Sequence, residues 1–300
     1  FGEPCVDMST VMEEYLHTGI PLKKWFWNKP EDIAASAQLH LEHELNKIFT
    51  EARKYGNKVA YAGGVALNCV ANSKLAPMFD KFWIFPNPGD SGSALGCILA
   101  KTKKRIEYTH TFWGYNIQRK LNVNDVVKEL LNKKVVGVAN GAAEFGPRAL
   151  GNRSIVCDPN IRQMKDILNS KVKFREWYRP FAPFCKKEDA SKYFESKNFE
   201  NLEYMSYAPP VKKEYQESLP SITHADGTAR LQTVTEESHS HFYELLTEFG
   251  KISETNVLLN TSFNIRGFPV LSTIEDALYV LENTEMDYVV IEDYLFEVKS

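Results

Sequence analysis

No apolar run in these 300 residues approaches the ~20 that a membrane-spanning helix needs, so nothing in the sequence asks for a bilayer. Neither sign of charge is in large excess. The 36 basic and 39 acidic side chains leave a formal −3, which excludes a generally basic nucleic-acid surface. Cysteine is sparse and scattered: Cys5, Cys69, Cys97, Cys157 and Cys185 include no Cys-x-x-Cys pair, so neither a zinc site nor a disulfide framework is implied. None stands beside a histidine, and all five are read as buried apolar side chains in a reducing, cytoplasmic compartment. There is no Gly-x-Ser-x-Gly elbow, no Walker-type phosphate loop and no His-Glu-x-x-His pair. No repeat at a solenoid period is present. The chain also lacks an initiator Met and a signal-type start, which reads as a fragment, a processed chain or a trimmed one.

What is present describes a globular protein. Hydrophobic residues make up 43% and aromatics 12%, enough to bury a real core and too much for a disordered tail. The first thirty residues carry mixed helix and turn signals around Trp25–Trp27. Pro30-Glu31-Asp32 then opens a helix, in which Ile33, Ala37, Leu41, Leu45 and Ile48 recur at helical spacing before Gly56. The run 59–62 reads as a buried strand, and it feeds the Gly63-Gly64 turn and a helix over about 66–74. A second strand at 82–85, the turn 86–90 and a helix from Ser91 repeat the pattern, which predicts an α/β architecture. Residues 108–118 read as a linker. The domains are accordingly placed at 1–107 and 108–300, with helices over 123–131, 161–170, 241–249 and 274–281, strands at 135–138 and 257–259, and an alternating edge pair over 287–298.

The chemistry concentrates in four segments. In Phe145-Gly146-Pro147-Arg148-Ala149-Leu150-Gly151-Asn152-Arg153-Ser154, glycines flank an arginine, so backbone N–H groups can approach an anion that a guanidinium clamps. Lys173-Phe174-Arg175-Glu176-Trp177-Tyr178-Arg179-Pro180 follows. From Arg148 to Arg179 the chain carries a local +5 within a total of −3, interleaved with Gly, Pro and aromatics rather than spaced along a helix. That arrangement suits a phosphoryl or polyphosphate ligand better than a solvated charged face. His224 to Gln232 gathers polar side chains around Gly227, and Asn260-Thr261-Ser262-Phe263-Asn264 follows an apolar strand, at the sheet edge where α/β ligands lie. Asp90 suits either the cap of the next helix or a metal ligand. His40 and His43, and His239 and His241, read as surface residues.

These motifs, with Gly63 to Asn72 and Pro86 to Gly96, resemble in order the ATP-dependent O-carbamoyltransferases, the nodulation-factor and antibiotic-tailoring type. The likeness runs from about Asp32 to the end of the sequence. It implies part of an actin/sugar-kinase-like carbamoyl-transfer domain followed by an α+β domain similar to the threonylcarbamoyl-adenylate synthase fold. The second domain would build carbamoyl-adenylate from carbamoyl phosphate and ATP, and the first would pass the carbamoyl group to an acceptor hydroxyl. Carried over by position, Lys173, Arg175 and Arg179 take the catalytic roles. Arg148, Arg179, Arg230 and Asn260 hold carbamoyl phosphate. ATP falls to Lys173, Arg175, Arg153, His224, Ser262 and Asn264, with Gly63, Gly64 and Asn68 as a nucleotide-contacting turn of the first domain.

Mg2+ is expected on the ATP, and Asp90 matches the aspartate of an iron (Fe2+) site. The family's N-terminal phosphate loop and His-x-x-x-His pair have no match here, which implies an incomplete iron site and a missing N-terminal half. That half would come from the same protein or from a complementary chain, with a homodimer also open. The acceptor is a hydroxylated small molecule of unspecified class; neither a membrane nor a nucleic acid is expected as partner. Two alternatives stand beside this one: a threonylcarbamoyl-adenylate-synthase-like enzyme of tRNA modification, and a non-catalytic nucleotide-binding subunit.

Overall fold

A computed structural model describes residues 2–5, 7–8, 29–117, 121–291 and 294–297. The Trp25–Trp27 cluster, Gln118 and the last three residues lie outside them. The chain divides into two compact units, residues 1–59 with 70–82, and residues 60–69 with 83–300.

The first unit is built on α1 (Pro30–Arg53), opened by a proline at its first turn with Glu31 and Asp32 favoured there by the helix dipole. Periodicity points Ile48 inward, but the structure leaves Ile48 60% exposed and buries Leu45 and Phe49. The Phe49 ring lies 5.4 Å from that of Phe82 and 6.0 Å from that of Phe79, an aromatic cluster that removes more apolar surface from water than one isoleucine would.

Strand β1 (Lys58–Tyr61) enters a tight turn over Gly64–Leu67 and then α2 (Cys69–Leu75); β2 (Lys81–Ile84) pairs with β1, and α3 (Asp90–Thr102) follows. In the second unit, β3 (Phe112–Ile117) occupies the stretch that reads as a linker and pairs antiparallel with β5 (Gly141–Glu144). Gly114 and Asn116 interrupt its apolar alternation, which hides the strand from a pattern search.

A seven-stranded mixed sheet organises the rest, in the order β11-β10-β4-β6-β9-β7-β8. Its strands are β4 (Val136–Ala139), β6 (Arg153–Cys157), β7 (Ala182–Lys186), β8 (Gln232–Val234), β9 (Val257–Ser262), β10 (Tyr288–Ile291) and β11 (Tyr294–Phe296). Besides α3, the helices of this unit are α4 (Val123–Leu131), the short α5 (Met164–Ile167), α6 (Ala190–Tyr193) and α7 (Lys213–Gln216), then α8 (Ser240–Gly250) and α9 (Ile274–Glu282).

Helices α4 and α8 bury Val126, Leu130, Phe242, Leu245 and Leu246 against Val136, Val156, Phe184 and Leu258. The Phe184 and Phe242 rings stack 4.3 Å apart. Each such side chain contributes about 1.5–3 kcal/mol on burial, so this layer anchors the sheet whose edge carries the polar motifs.

Candidate functional site

Strand direction brings the motifs together. Both β6 and β7 run antiparallel to β9, and β8 runs parallel to β7. The starts of β6, β7 and β8 therefore share one sheet edge with the end of β9. Four segments distant in sequence meet there: 146–152 before β6, 173–181 before β7, 224–231 before β8 and 262–264 at the end of β9.

Each loop is shaped by a specific contact. Glu144 Oε1 accepts the backbone N–H groups of Leu150, at 2.7 Å, and Asn152, at 2.9 Å, which closes the first loop with Arg148 at its crest. Gly151 sits at φ +135°, and a Cβ there would stand 2.3 Å from His239 Nε2, so only glycine fits. In the second loop Phe174 adopts a left-handed φ of 46° and stays exposed, while Lys173 is only 4% exposed. A positive φ on a non-glycine residue between two functional side chains is the kind of strain that binding sites retain. Asn169 steadies this loop from a π-helical turn: its Oδ1 accepts from Arg175 Nε at 2.7 Å, and its Nδ2 donates to the carbonyls of Trp177 and Arg179.

A cavity of about 280 Å³ opens where these loops meet, lined among others by Arg148, Arg175, Arg179, Arg230, Asn260 and Ser262, with no carboxylate in its wall. Burial and the neighbouring Arg230 push Arg148 down to about 10, and burial with Arg179 and Arg230 nearby does the same to Arg175. Arg230 is lowered chiefly by burial, and its Nε has no partner. Arg179 differs. It is paired with Glu176 at 2.9 Å and its side chain is 54% exposed. Arg148, Arg175 and Arg230 are desolvated and sit near one another with no carboxylate in the cavity wall, an arrangement that a bound anion would compensate.

Beside this cavity, Lys173 Nζ donates to Ser262 O at 2.6 Å, Asn264 O at 2.8 Å and Asn264 Oδ1 at 2.5 Å, and lies 3.2 Å from Ser262 Oγ. Burial first, and Arg175 second, lower its pKa to about 7. The three residues Lys173, Ser262 and Asn264, which the resemblance assigns to ATP, thus touch directly. Asn260 lies 0% exposed at the cavity wall.

Other expected residues sit elsewhere. Arg153, assigned by position to ATP, is fully buried, and its guanidinium donates to the carbonyls of Tyr115, Asn140, Gly141, Asn152 and Ser272. All its donors are occupied by the protein itself, so it pins the sheet edge instead of facing the cavity. His224 holds its Nδ1 3.3 Å from Thr228 Oγ1 in the turn before β8; burial lowers its pKa to about 4, so it is neutral at pH 7.

Gly63, at φ +113°, and Gly64 start the turn after β1, with Asn68 half-buried at its end. Arg148 Nη2 donates to Leu67 O in that turn at 3.3 Å, which links it to the arginine cluster. Asp90 is exposed at the first position of α3, where Gly89, not Asp90, is the cap. Among the described residues no group of three His, Cys, Asp or Glu side chains can hold a metal ion, so the side chains around Asp90 do not make an iron site and no chemistry is assigned to one.

Two expectations are corrected. His239 is buried rather than on the surface, because its Nδ1 accepts Phe242 N–H to cap α8 and its Nε2 meets Asn152 Oδ1 at 3.0 Å. Cys157 and Cys185 are buried as expected, but Cys5 and Cys97 are exposed and Cys69 is intermediate; they lie outside the apolar layers.

Comparison with known proteins agrees with the motifs. Residues 127–298 match the family described as carbamoyltransferase C-terminus, and residues 7–99 the one described as carbamoyltransferase N-terminus. The chain is 34% identical to nodulation protein NolO of Bradyrhizobium diazoefficiens, over 90% of this chain and 55% of that protein. It is 32% identical to nodulation protein NolNO of Sinorhizobium fredii, over 92% of this chain and 45% of that one. The chain thus spans about half the length of these relatives. A crystal structure of full-length HypF in a phosphate- and nucleotide-bound form overlaps 59% of this chain and 22% of its own, at 17% identity and a TM-score of 0.41, a likeness too distant to build on. No helix among the described residues is long and apolar enough to cross a membrane.

Proposed function

This chain belongs to the carbamoyltransferase family, and on that premise we propose that its arginine-lined cavity binds carbamoyl phosphate beside ATP and makes carbamoyl-adenylate for transfer to an acceptor hydroxyl. The observation that carries the proposal is the set of four guanidinium groups facing about 280 Å³ with no acid in the wall, joined through Ser262 to a buried Lys173. Residues 108–300 then correspond to the adenylate-forming domain, and the stretch before them to part of the actin/sugar-kinase-like transfer domain.

In the proposed scheme, water splits carbamoyl phosphate into carbamate and inorganic phosphate. A carbamate oxygen then attacks the α-phosphorus of ATP, the bond to the β-phosphate breaks, and pyrophosphate leaves. Arg148 and Arg230 hold the phosphoryl group of the donor. Lys173, Arg175, Ser262 and Asn264 hold the nucleotide phosphates and neutralise charge that would otherwise keep two polyanions apart. Because the cavity wall has no carboxylate, Mg2+ would arrive on the ATP phosphates, where it supplies charge neutralisation.

Pyrophosphate release from ATP tests this reading. Release that requires carbamoyl phosphate supports it. Release that requires threonine and bicarbonate would instead identify a threonylcarbamoyl-adenylate synthase, and no release under either condition would leave a nucleotide-binding subunit.

A further inference from the structure

Two buried amides stand behind the arginine cavity, and their orientation is settled by groups that can only accept. Gln232 is 2% exposed and Asn260 0%. Gln232 Nε2 donates to the backbone carbonyl of Leu150 at 2.8 Å. A carbonyl cannot donate, so the nitrogen of Gln232 must face Leu150 and its Oε1 must face away. That Oε1 accepts from Asn260 Nδ2 at 2.7 Å, and the same Nδ2 donates to the carbonyl of Ala149 at 3.1 Å. Both amide hydrogens of Asn260 are thereby used. Its Oδ1 has no partner, although the side chain is fully buried and Asn260 lines the cavity.

The sheet makes this arrangement possible. Asn260 on β9 pairs with Ala182 on β7, and Gln232 on β8 pairs with Phe184, so the two amides share a face on either side of β7. Ala182 carries only a methyl group, which leaves room for them to meet across that strand.

Asn260 is already among the residues that the family resemblance assigns to carbamoyl phosphate; beyond that, we propose that Gln232 is the positioning residue that fixes its amide nitrogen, so that the unpartnered Asn260 Oδ1 is left to read an N–H of the carbamoyl group and sets the specificity of the donor pocket. The inference rests on the cavity binding carbamoyl phosphate. The four arginines recognise the phosphoryl end but are blind to what it carries. An unpartnered acceptor is filled by the NH2 of a carbamoyl group and left empty by the CH3 of an acetyl group of the same size. A buried acceptor left unpaired costs about 1–3 kcal/mol, so carbamoyl phosphate should displace acetyl phosphate with a preference of about tenfold to a hundredfold.

The test is competition calorimetry on the protein with inorganic phosphate, carbamoyl phosphate and acetyl phosphate as probes, on wild type, Gln232→Met and Asn260→Leu. The expected result is phosphate binding of similar strength in wild type and Gln232→Met, with the preference for carbamoyl over acetyl phosphate reduced to within about threefold of unity in both variants. Thermal melts establish that each variant is folded. Equal affinities of wild type for the two acyl phosphates would overturn the proposal without any variant, and so would a folded Gln232→Met or Asn260→Leu that keeps the full preference. Failure of inorganic phosphate to bind wild type would overturn the cavity's assignment itself, an outcome distinct from loss of discrimination.

Discussion

At the scale of single residues, Lys173 is the clearest consequence of burial. It sits among oxygen acceptors with no carboxylate, and desolvation brings its pKa to about 7 from an ordinary value of 10.5. Below about pH 7 the side chain is charged in both folded and unfolded states, and the cost of burying the charge is complete. Between about 7 and 10.5 the folded form sheds a proton that the unfolded form keeps, so this group makes stability rise with pH in that window. A polyphosphate beside Lys173 reverses the shift, because the anion favours the ammonium form. Nucleotide binding should therefore take up close to one proton near pH 8 (about nine-tenths of an isolated group with this pKa is neutral there) and should weaken as pH rises from 7 to 9. Calorimetry of ATP binding in buffers of different ionisation enthalpy measures the uptake. Lys173→Met should abolish it, and an uptake that survives in that variant would place the titrating group elsewhere. Arg153 teaches the converse lesson: it belongs to a basic motif in sequence, yet its donors are consumed by five backbone carbonyls.

At the scale of elements, the long amphipathic helices were legible, and so were the apolar strands β1, β2, β4 and β9 and the β10–β11 edge pair, but the strands that carry polar site residues were not. The spans of α4, α8 and α9 follow from apolar spacing because each buries one stripe on the sheet. Strands β6, β7 and β8 begin at Arg153, Ala182 and Gln232, where the polar site residues interrupt any strand pattern, so they read as parts of motifs instead. Resemblance rather than periodicity brought Lys173, Ser262 and Asn264 to one place. Asn260 stood among the residues assigned to carbamoyl phosphate, but nothing in the sequence marked Asn169 or joined Gln232 to Asn260, since a lone amide carries no spacing signal.

The π-helical turn at Leu168–Val172 illustrates what was hidden, for it aims Asn169 at the following loop. Replacing Asn169 with Ala should free the Arg175 guanidinium and the carbonyls of Trp177 and Arg179, weakening phosphate binding by about tenfold through lost positioning. Asn169→Gln should not restore it, because one more methylene misplaces both bonds. Phosphate titrations of the folded variants decide: an affinity unchanged in Asn169→Ala would mean that the loop holds its shape without this residue.

At the scale of the whole molecule, the mixed sheet explains why the charge is so local. A chain with a formal −3 presents four guanidinium groups at one sheet edge because four strands begin or end there. The hydrophobic layer of α4 and α8 holds those strands in register, and in the proposed function the desolvated arginines draw their compensation from carbamoyl phosphate. The arginines are not equivalent in how much of that compensation they need. Arg230 is half-buried with no carboxylate against it, whereas Arg179 shares an exposed pair with Glu176, the kind worth about 0–1 kcal/mol.

The most direct measurement is the affinity of wild type, Arg230→Ala and Arg179→Ala for carbamoyl phosphate by calorimetry. Wild type should bind, Arg230→Ala should lose about ten- to a hundredfold, as expected for one charge-assisted contact, and Arg179→Ala should lose less. Absence of binding in wild type, or a folded Arg230→Ala that binds as tightly as wild type, would contradict the account.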